Sequence, residues 1–383
     1  MIILFVILII FLDGSVSKAI ESAANDNEVA GRFKRGTKTA TGTGTTTATA
    51  GGLIELGIKR IVNTYATVLR NLGTGQSGSV DLVRLPSKVA VKKIHKEVLV
   101  NNPLARNFLK NEIDAYQACD SPFVVKMYDV FEDKKDVNIV LEPVENSMSL
   151  IKLLEPEKGQ PANGIAEDYV RFYIAQAFLA LNHLHSKGYT HNDAWIENFL
   201  LDKQGFVKLI DFGLAFKLED FKDPSKNPKD PKNKEKGIEN SMPFRGWYYN
   251  RAPERIELKE YGPSSDFWAL GLLTYRLAFA KEAFNRISKE DYERRFLKKK
   301  EKKETETKET EEQKIARWKQ EETMILTADY EWPESPKVSD NMRNFIESLL
   351  VVDPKKRLGH ANPDEIKNHV WFTSVNFKES DTF

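Results

Sequence analysis

The hydrophobic pattern of this 383-residue chain changes period once, close to Pro143, and that change limits the folds open to it. Before it, Thr64–Leu72, Ser79–Leu85, Lys88–Ile94, Val124–Phe131 and Val137–Leu141 read as extended segments, which predicts strands. One helix interrupts them over about Leu104–Cys119, and a shorter one is expected over Leu53–Val62. After it, Glu167–Ser186, Ser265–Ala280 and Asp340–Leu349 place apolar residues three and four apart, which predicts helices. Strands first and helices afterwards imply an α+β, two-lobed fold: an antiparallel-sheet N-lobe with one main helix, and a mainly α-helical C-lobe. Residues 142–146 are the expected hinge.

Charge and composition work mainly by exclusion. A net charge of +1 gives no electrostatic reason to expect nucleic acid or an acidic membrane as a partner. The single cysteine, Cys119, excludes an internal disulfide, offers no metal cluster and reads as a small buried hydrophobe. The N-terminus is different. Ile2–Leu12 is unbroken apolar sequence, followed by small residues at Ser15, Ser17 and Ala19. A helix of that length reaches only about 16 Å, roughly half a hydrocarbon core. It predicts a secretory signal over residues 1–19, cleaved near Ser17 or Ala19, although no Lys or Arg precedes the run. The expected destination is the secretory pathway, with no membrane span after cleavage; a buried N-terminal strand is the competing reading.

Residues 20–52 read as a disordered Thr/Gly-rich linker containing a basic stretch, Arg32–Arg35, that is either a processing site or a solvated turn. Residues 53–375 form the expected folded domain, with lobes over 53–143 and 146–375. Within it, residues 221–236 are rich in Lys, Asp and Pro, and residues 289–322 are about two-thirds charged. The second insertion predicts a solvated helix supported by i,i+4 Glu–Lys pairs, and it is a candidate partner surface.

Three motifs carry chemistry. Residues 73–80, Gly-Thr-Gly-Gln-Ser-Gly-Ser-Val, have glycines spaced to let backbone N–H groups approach phosphate oxygens. A dinucleotide-binding turn shares this spacing but opens a helix, whereas Val80–Val83 continues as a strand. On the next strand Val89-Ala90-Val91-Lys92 points Lys92 to the same face as Ala90, while Lys93 reads as an exposed edge residue. Finally, His191-Asn192-Asp193 is followed by Asn198 and by Asp211-Phe212-Gly213. Asp193 is placed to accept or orient a hydroxyl proton, and Asn198 and Asp211 offer the oxygen ligands that Mg²⁺ prefers. His191 is expected to pack on Phe212 rather than act as a base.

In this order and spacing the motifs resemble those of eukaryotic protein kinases over residues 64–375. Arg251-Ala252-Pro253-Glu254, Ser265–Gly271 and Asp353–Gly359 extend the resemblance, which implies a buried Glu254–Arg357 pair and an Asp266 anchor for the catalytic loop. It further implies ATP and Mg²⁺ as cofactors and a protein substrate. Asp193, Lys92 and Glu112 are then catalytic, with Glu112 holding Lys92, and Asn198 and Asp211 bind metal. The implied ATP-binding set is Gly73, Thr74, Gly75, Gln76, Ser77, Gly78, Val80, Ala90, Lys92, Leu141, Glu142, Val144 and Leu200.

Departures from the family pattern shape the functional expectation. Asn192 replaces the arginine that usually pairs with a phosphorylated activation loop, which argues against that switch. Trp195 replaces the lysine found two places after the aspartate in Ser/Thr kinases, and Glu197 the arginine found four places after it in tyrosine kinases. Losing one preorganised electrostatic contact commonly costs about 10²–10³ in rate. The expected activity is therefore slow, atypical transfer, to Ser/Thr rather than Tyr, with Lys217 or the lysine-rich insertion as conceivable replacement cations. Exported kinases of parasitic protists show a similar combination of features. The alternatives are a pseudokinase scaffold, in which the Trp195 indole fills the vacated site and forms a protein-binding surface, and a small-molecule kinase.

Overall fold

The computed structural model describes residues 67–377 apart from 76–77, 85–88, 101, 145–146, 157–162, 223–250, 257–261 and 285–310. For residues 67–84, 103–104, 221–222 and 311–318 it describes the backbone alone. The expected signal, linker and first short helix lie outside these residues, as does most of the charged insertion. Among the described residues no helix is long and apolar enough to cross a membrane.

The chain divides into two compact units, one comprising Met1–Pro103 with Lys126–Pro143, the other Leu104–Val125 with Val144–Phe383. One division falls between Pro143 and Val144, inside the expected hinge. In the first unit, β1 (Thr67–Gly75) and β2 (Gly78–Arg84) form an antiparallel hairpin. A three-stranded antiparallel sheet follows in the order β3 (Ala90–His95), β5 (Asp136–Leu141), β4 (Met127–Glu132). Central β5 is buried along its whole length, as a strand paired on both sides should be. A helix that the sequence pattern does not predict, α1 (Lys96–Val100), follows β3. It has no buried residue, so its sequence carries no amphipathic stripe.

The second unit begins with α2 (Pro103–Ala118) and continues with β6 (Met148–Ser149) and α3 (Glu167–Ser186). Next come β7 (Tyr189–Thr190), β8 (Phe199–Leu201), β9 (Val207–Leu209), β10 (Phe216–Lys217) and α4 (Leu218–Lys222). The remaining helices are α5 (Pro253–Ile256), α6 (Pro263–Phe279), α7 (Glu311–Thr327), α8 (Asp340–Leu349) and α9 (Asp364–Lys367). Strands pair β6–β8–β9 and β7–β10, all antiparallel. The core lies where α3 and α8 pack on α6. Val170, Ile174, Phe178, Leu181 and Leu184 supply the buried face of α3, spaced at three, four and seven. Ser339 caps α8, its hydroxyl accepting from the Met342 N–H at 3.1 Å.

Of the charged insertion the structure describes the helical backbone over residues 311–322, with Lys319 and Gln320 exposed. Glu321 is only 3% exposed, and Met324 and Ile325, one turn on, are buried too. α7 makes contact with α5, so this helix is not solvated all round.

Gly359 follows the turn after Arg357 at φ +85°, and a Cβ there would lie 2.7 Å from Ile366 Cδ1 and 3.0 Å from Phe267. Gly359→Ala is therefore expected to destabilise the domain by about 1–3 kcal/mol, read as a lowered urea midpoint at unchanged slope.

Candidate active site

A reversal after α3, through Gly188 at φ +83°, delivers β7 and then His191-Asn192-Asp193. One carboxylate holds this loop. Asp266, 1% exposed on α6, accepts the backbone N–H of His191 through Oδ2 and that of Asn192 through Oδ1, both at 2.8 Å. His185 Nε2 meets Oδ2 at 2.8 Å. Burial pushes the Asp266 pKa up, but the His185 hydrogen bond and the neighbouring imidazole charges outweigh it, leaving the group below its ordinary value.

Asn192 adopts φ 63°, the left-handed region that Asn tolerates better than most residues. Its Nδ2 donates to Thr190 Oγ1 at 3.0 Å and to the Leu214 carbonyl at 3.1 Å. The amide thereby ties the catalytic loop to the segment after Asp211-Phe212-Gly213, a contact that the longer arginine of the family pattern would not make in the same way.

Asp193 and Asn198 come together as expected. Asn198 Nδ2 donates to the Asp193 carbonyl at 2.8 Å and to its Oδ2 at 3.1 Å. Burial raises the Asp193 pKa to about 7, helped by the charge of nearby Asp211; the Asn198 hydrogen bond and the charges of Arg255 and Arg251 oppose the rise. His191 is fully buried and its pKa lies below the ordinary value through desolvation. Its Nδ1 accepts from the Asp193 N–H at 3.2 Å, its Nε2 faces the Ile210 carbonyl at 3.2 Å, and its ring meets Phe212 edge-on at 5.4 Å. That is the packing role expected of it.

Asp211 also takes a left-handed backbone, φ 61°, with its Oδ1 accepting the Gly213 N–H at 3.0 Å. Its own N–H donates to Tyr116 Oη at 3.0 Å, and Tyr116 stacks on Phe212 at 4.4 Å. Tyr116 lies four residues after Glu112, on the same face of α2, and both are buried. Sequence reading named Glu112 and missed Tyr116, whose signal was only its spacing.

The metal expectation can be tested on this donor set. Asn198 commits its Nδ2 to Asp193, which leaves its amide oxygen, with the Asp211 carboxylate, as hard oxygen ligands. The like charges of Asp193 and Asp211 also act on one another, a repulsion that a cation relieves. Among the described residues no group of three or more His, Cys, Asp or Glu could hold a metal. The residues fit Mg²⁺, which keeps waters and phosphate oxygens in its shell and needs only one or two protein carboxylates.

In the first unit, Gly73 pairs with Val80 and Gly75 with Gly78, so the glycine motif forms a hairpin and not the start of a helix. Gln76 and Ser77 lie outside the described residues. Ala90 pairs with Leu141 and Lys92 with Ile139, while Lys93 is exposed as expected. Glu142 donates its N–H to the Lys126 carbonyl at 2.8 Å. Val144 and Leu200 belong to the second unit and are half-buried.

Trp195 is 8% exposed, so its indole is buried. Lys217, a conceivable replacement cation, pairs instead with Glu219 at 3.0 Å. The expected Glu254–Arg357 pair is present, Nη1 to Oε1 at 2.7 Å and Nη2 to Oε2 at 2.9 Å.

Comparison with known proteins agrees with this geometry. The protein kinase domain family matches residues 66–372. Over 326 residues the chain is 29% identical to a probable serine/threonine-protein kinase of Dictyostelium discoideum, covering 84% of this chain and 60% of that protein. It is 27% identical over 329 residues to the RAC serine/threonine-protein kinase of Drosophila melanogaster, covering 84% and 45%. It is 28% identical over 314 residues to cAMP-dependent protein kinase type 3 of Saccharomyces cerevisiae, covering 80% and 64%. The chain thus spans roughly half to two-thirds of these relatives' length. A loop anchored on Asp266, an Asp193–Asn198 pair and a family match across most of the sequence lead to one conclusion: the chain belongs to the protein kinase domain family.

Proposed function

We propose that this chain transfers the γ-phosphate of ATP to a protein hydroxyl, on Ser or Thr, using Mg²⁺. The observation that carries the reading is the Asp193 carboxylate, oriented by Asn198 beside Asp211 in a loop that Asp266 holds rigid. Asp193 takes the hydroxyl proton as the new O–P bond forms and the bond to the ADP oxygen breaks. Asn198 and Asp211 hold Mg²⁺, which when bound supplies the positive charge that neutralises the phosphates. Lys92, Glu112 and the glycine hairpin keep the roles that the resemblance gives them. The names of the relatives support Ser/Thr specificity.

The test compares the full chain with Asp193→Asn in ATP, Mg²⁺ and a generic protein substrate. Asp193→Asn is expected to lose at least about 10²-fold in phosphate incorporation. Equal, negligible incorporation by both proteins would reject the enzyme reading. A nucleotide-dependent rise in melting temperature alone would then support the pseudokinase scaffold, the reading that the uncharged Trp195 favours. We propose further that residues 1–19 direct secretion, 20–52 act as a linker and 53–375 form the kinase domain, with 289–322 open to a partner. Deleting residues 2–12 should then keep a tagged chain out of the secretory pathway of a eukaryotic host.

A further inference from the structure

Two buried arginines to which no catalytic role has been assigned lie close to the catalytic loop. Arg255, on α5 and 9% exposed, donates its Nη1 to the Asn192 carbonyl, the oxygen of the peptide bond that carries Asp193. Arg251, just before α5, is buried as well, and the charges of both reach the Asp193 carboxylate. A buried guanidinium is costly without compensating charge, and the Asp193 carboxylate lies within reach of the charge of Arg255. The residue two places after Asp193 brings none of this, because Trp195 is an uncharged indole.

We propose that Arg255, backed by Arg251, is a positioning residue: it fixes the Asn192–Asp193 peptide and supplies the positive charge that Trp195 withholds. The inference rests on the phosphotransfer reading. As the hydroxyl oxygen bonds to phosphorus, its proton passes to Asp193 and ADP leaves, negative charge stays concentrated around the loop. A fixed guanidinium stabilises that charge without reorganising. Arginine suits the position because its planar fork holds a carbonyl with one N–H while the delocalised charge acts on the carboxylate beyond.

The test uses the full chain and four variants: Arg255→Gln, Arg255→Lys, Trp195→Lys, and Arg255→Gln combined with Trp195→Lys. Glutamine keeps an N–H donor and removes the charge. Readouts are kcat, KM for ATP and melting temperature, with a Ser/Thr peptide as acceptor. Arg255→Gln should lower kcat by about 10²-fold while KM for ATP stays within about twofold. Arg255→Lys should recover most of the loss. In the double variant the lysine at 195 should restore about tenfold over Arg255→Gln alone, a rescue that a merely structural role would not show. The proposal is overturned if Arg255→Gln keeps full kcat, if Arg255→Lys is as impaired as Arg255→Gln, or if the added lysine rescues nothing. Should Arg255→Gln melt at the assay temperature, it and the double variant are compared at a lower temperature, where the same rescue decides. An inactive parent chain would defeat the phosphotransfer reading itself, whereas an active parent with an indifferent Arg255→Gln defeats only this assignment.

Discussion

Replacing Arg357 with methionine is expected to destabilise the domain by about 3–5 kcal/mol, because it strands a buried carboxylate. Arg357 is 2% exposed. Besides its two bonds to Glu254, it donates to the Ser264 carbonyl at 2.6 Å and, through Nε, to the Val351 carbonyl at 3.1 Å. Its guanidinium lies 5.1 Å from the Trp268 ring centroid, and Ser265 Oγ completes the cluster by donating to Glu254 Oε1 at 2.9 Å. The pair thus joins the segment after Arg251 to the C-terminal turns near Gly359. Glu254→Leu should cost a similar amount, since it strands the cation instead. The double variant Glu254→Leu/Arg357→Met should be less destabilised than the sum of the two, because neither charge is then left buried alone. Urea denaturation of all four proteins checks this; strict additivity would mean that the pair is not acting as one unit.

Asp266→Ala is expected to abolish measurable transfer while the chain still folds at low temperature. Two buried backbone N–H groups and His185 lose their acceptor at once, each orphaned donor costing about 1–3 kcal/mol. The left-handed turn at Asn192 loses the bond that holds it, and a reacting group misplaced by about 1 Å commonly costs about 10²-fold in rate. The pH behaviour has a defined sign. The Asp266 pKa is lowered from 3.8 in the folded chain, so its ionised form favours folding. Its contribution is full above the unfolded value and is lost as pH falls through the folded one. The stability gap between the parent and Asp266→Asn should therefore stay constant at neutral pH and narrow below about pH 4. A gap that widens on acidification would contradict the assignment.

The helices that could be read from the sequence are those that bury a regular stripe. α3 and α8 begin and end where the apolar spacing does, at Glu167–Ser186 and Asp340–Leu349. α1 left no trace because Val98 and Val100 are exposed and nothing periodic points inward. Glu321 was hidden differently: its burial is tertiary, which a run of charges does not disclose. The same contrast holds in the site. Asp193, Asn198 and Asp211 are legible because phosphate chemistry fixes their types and spacing along a short stretch. Arg255 and Tyr116 are not, since their partners Asn192 and Asp211 stand 63 and 95 residues away. Only the fold brings such pairs together.

The inward-turned amide of Asn192 makes this departure from the family hard to reverse. Its side chain satisfies Thr190 and Leu214, its N–H satisfies Asp266, and its carbonyl receives Arg255. Replacing Asn192 with the arginine of the family pattern would forfeit both amide bonds. Asn192 is therefore held on four sides, and a change there disturbs four partners at once.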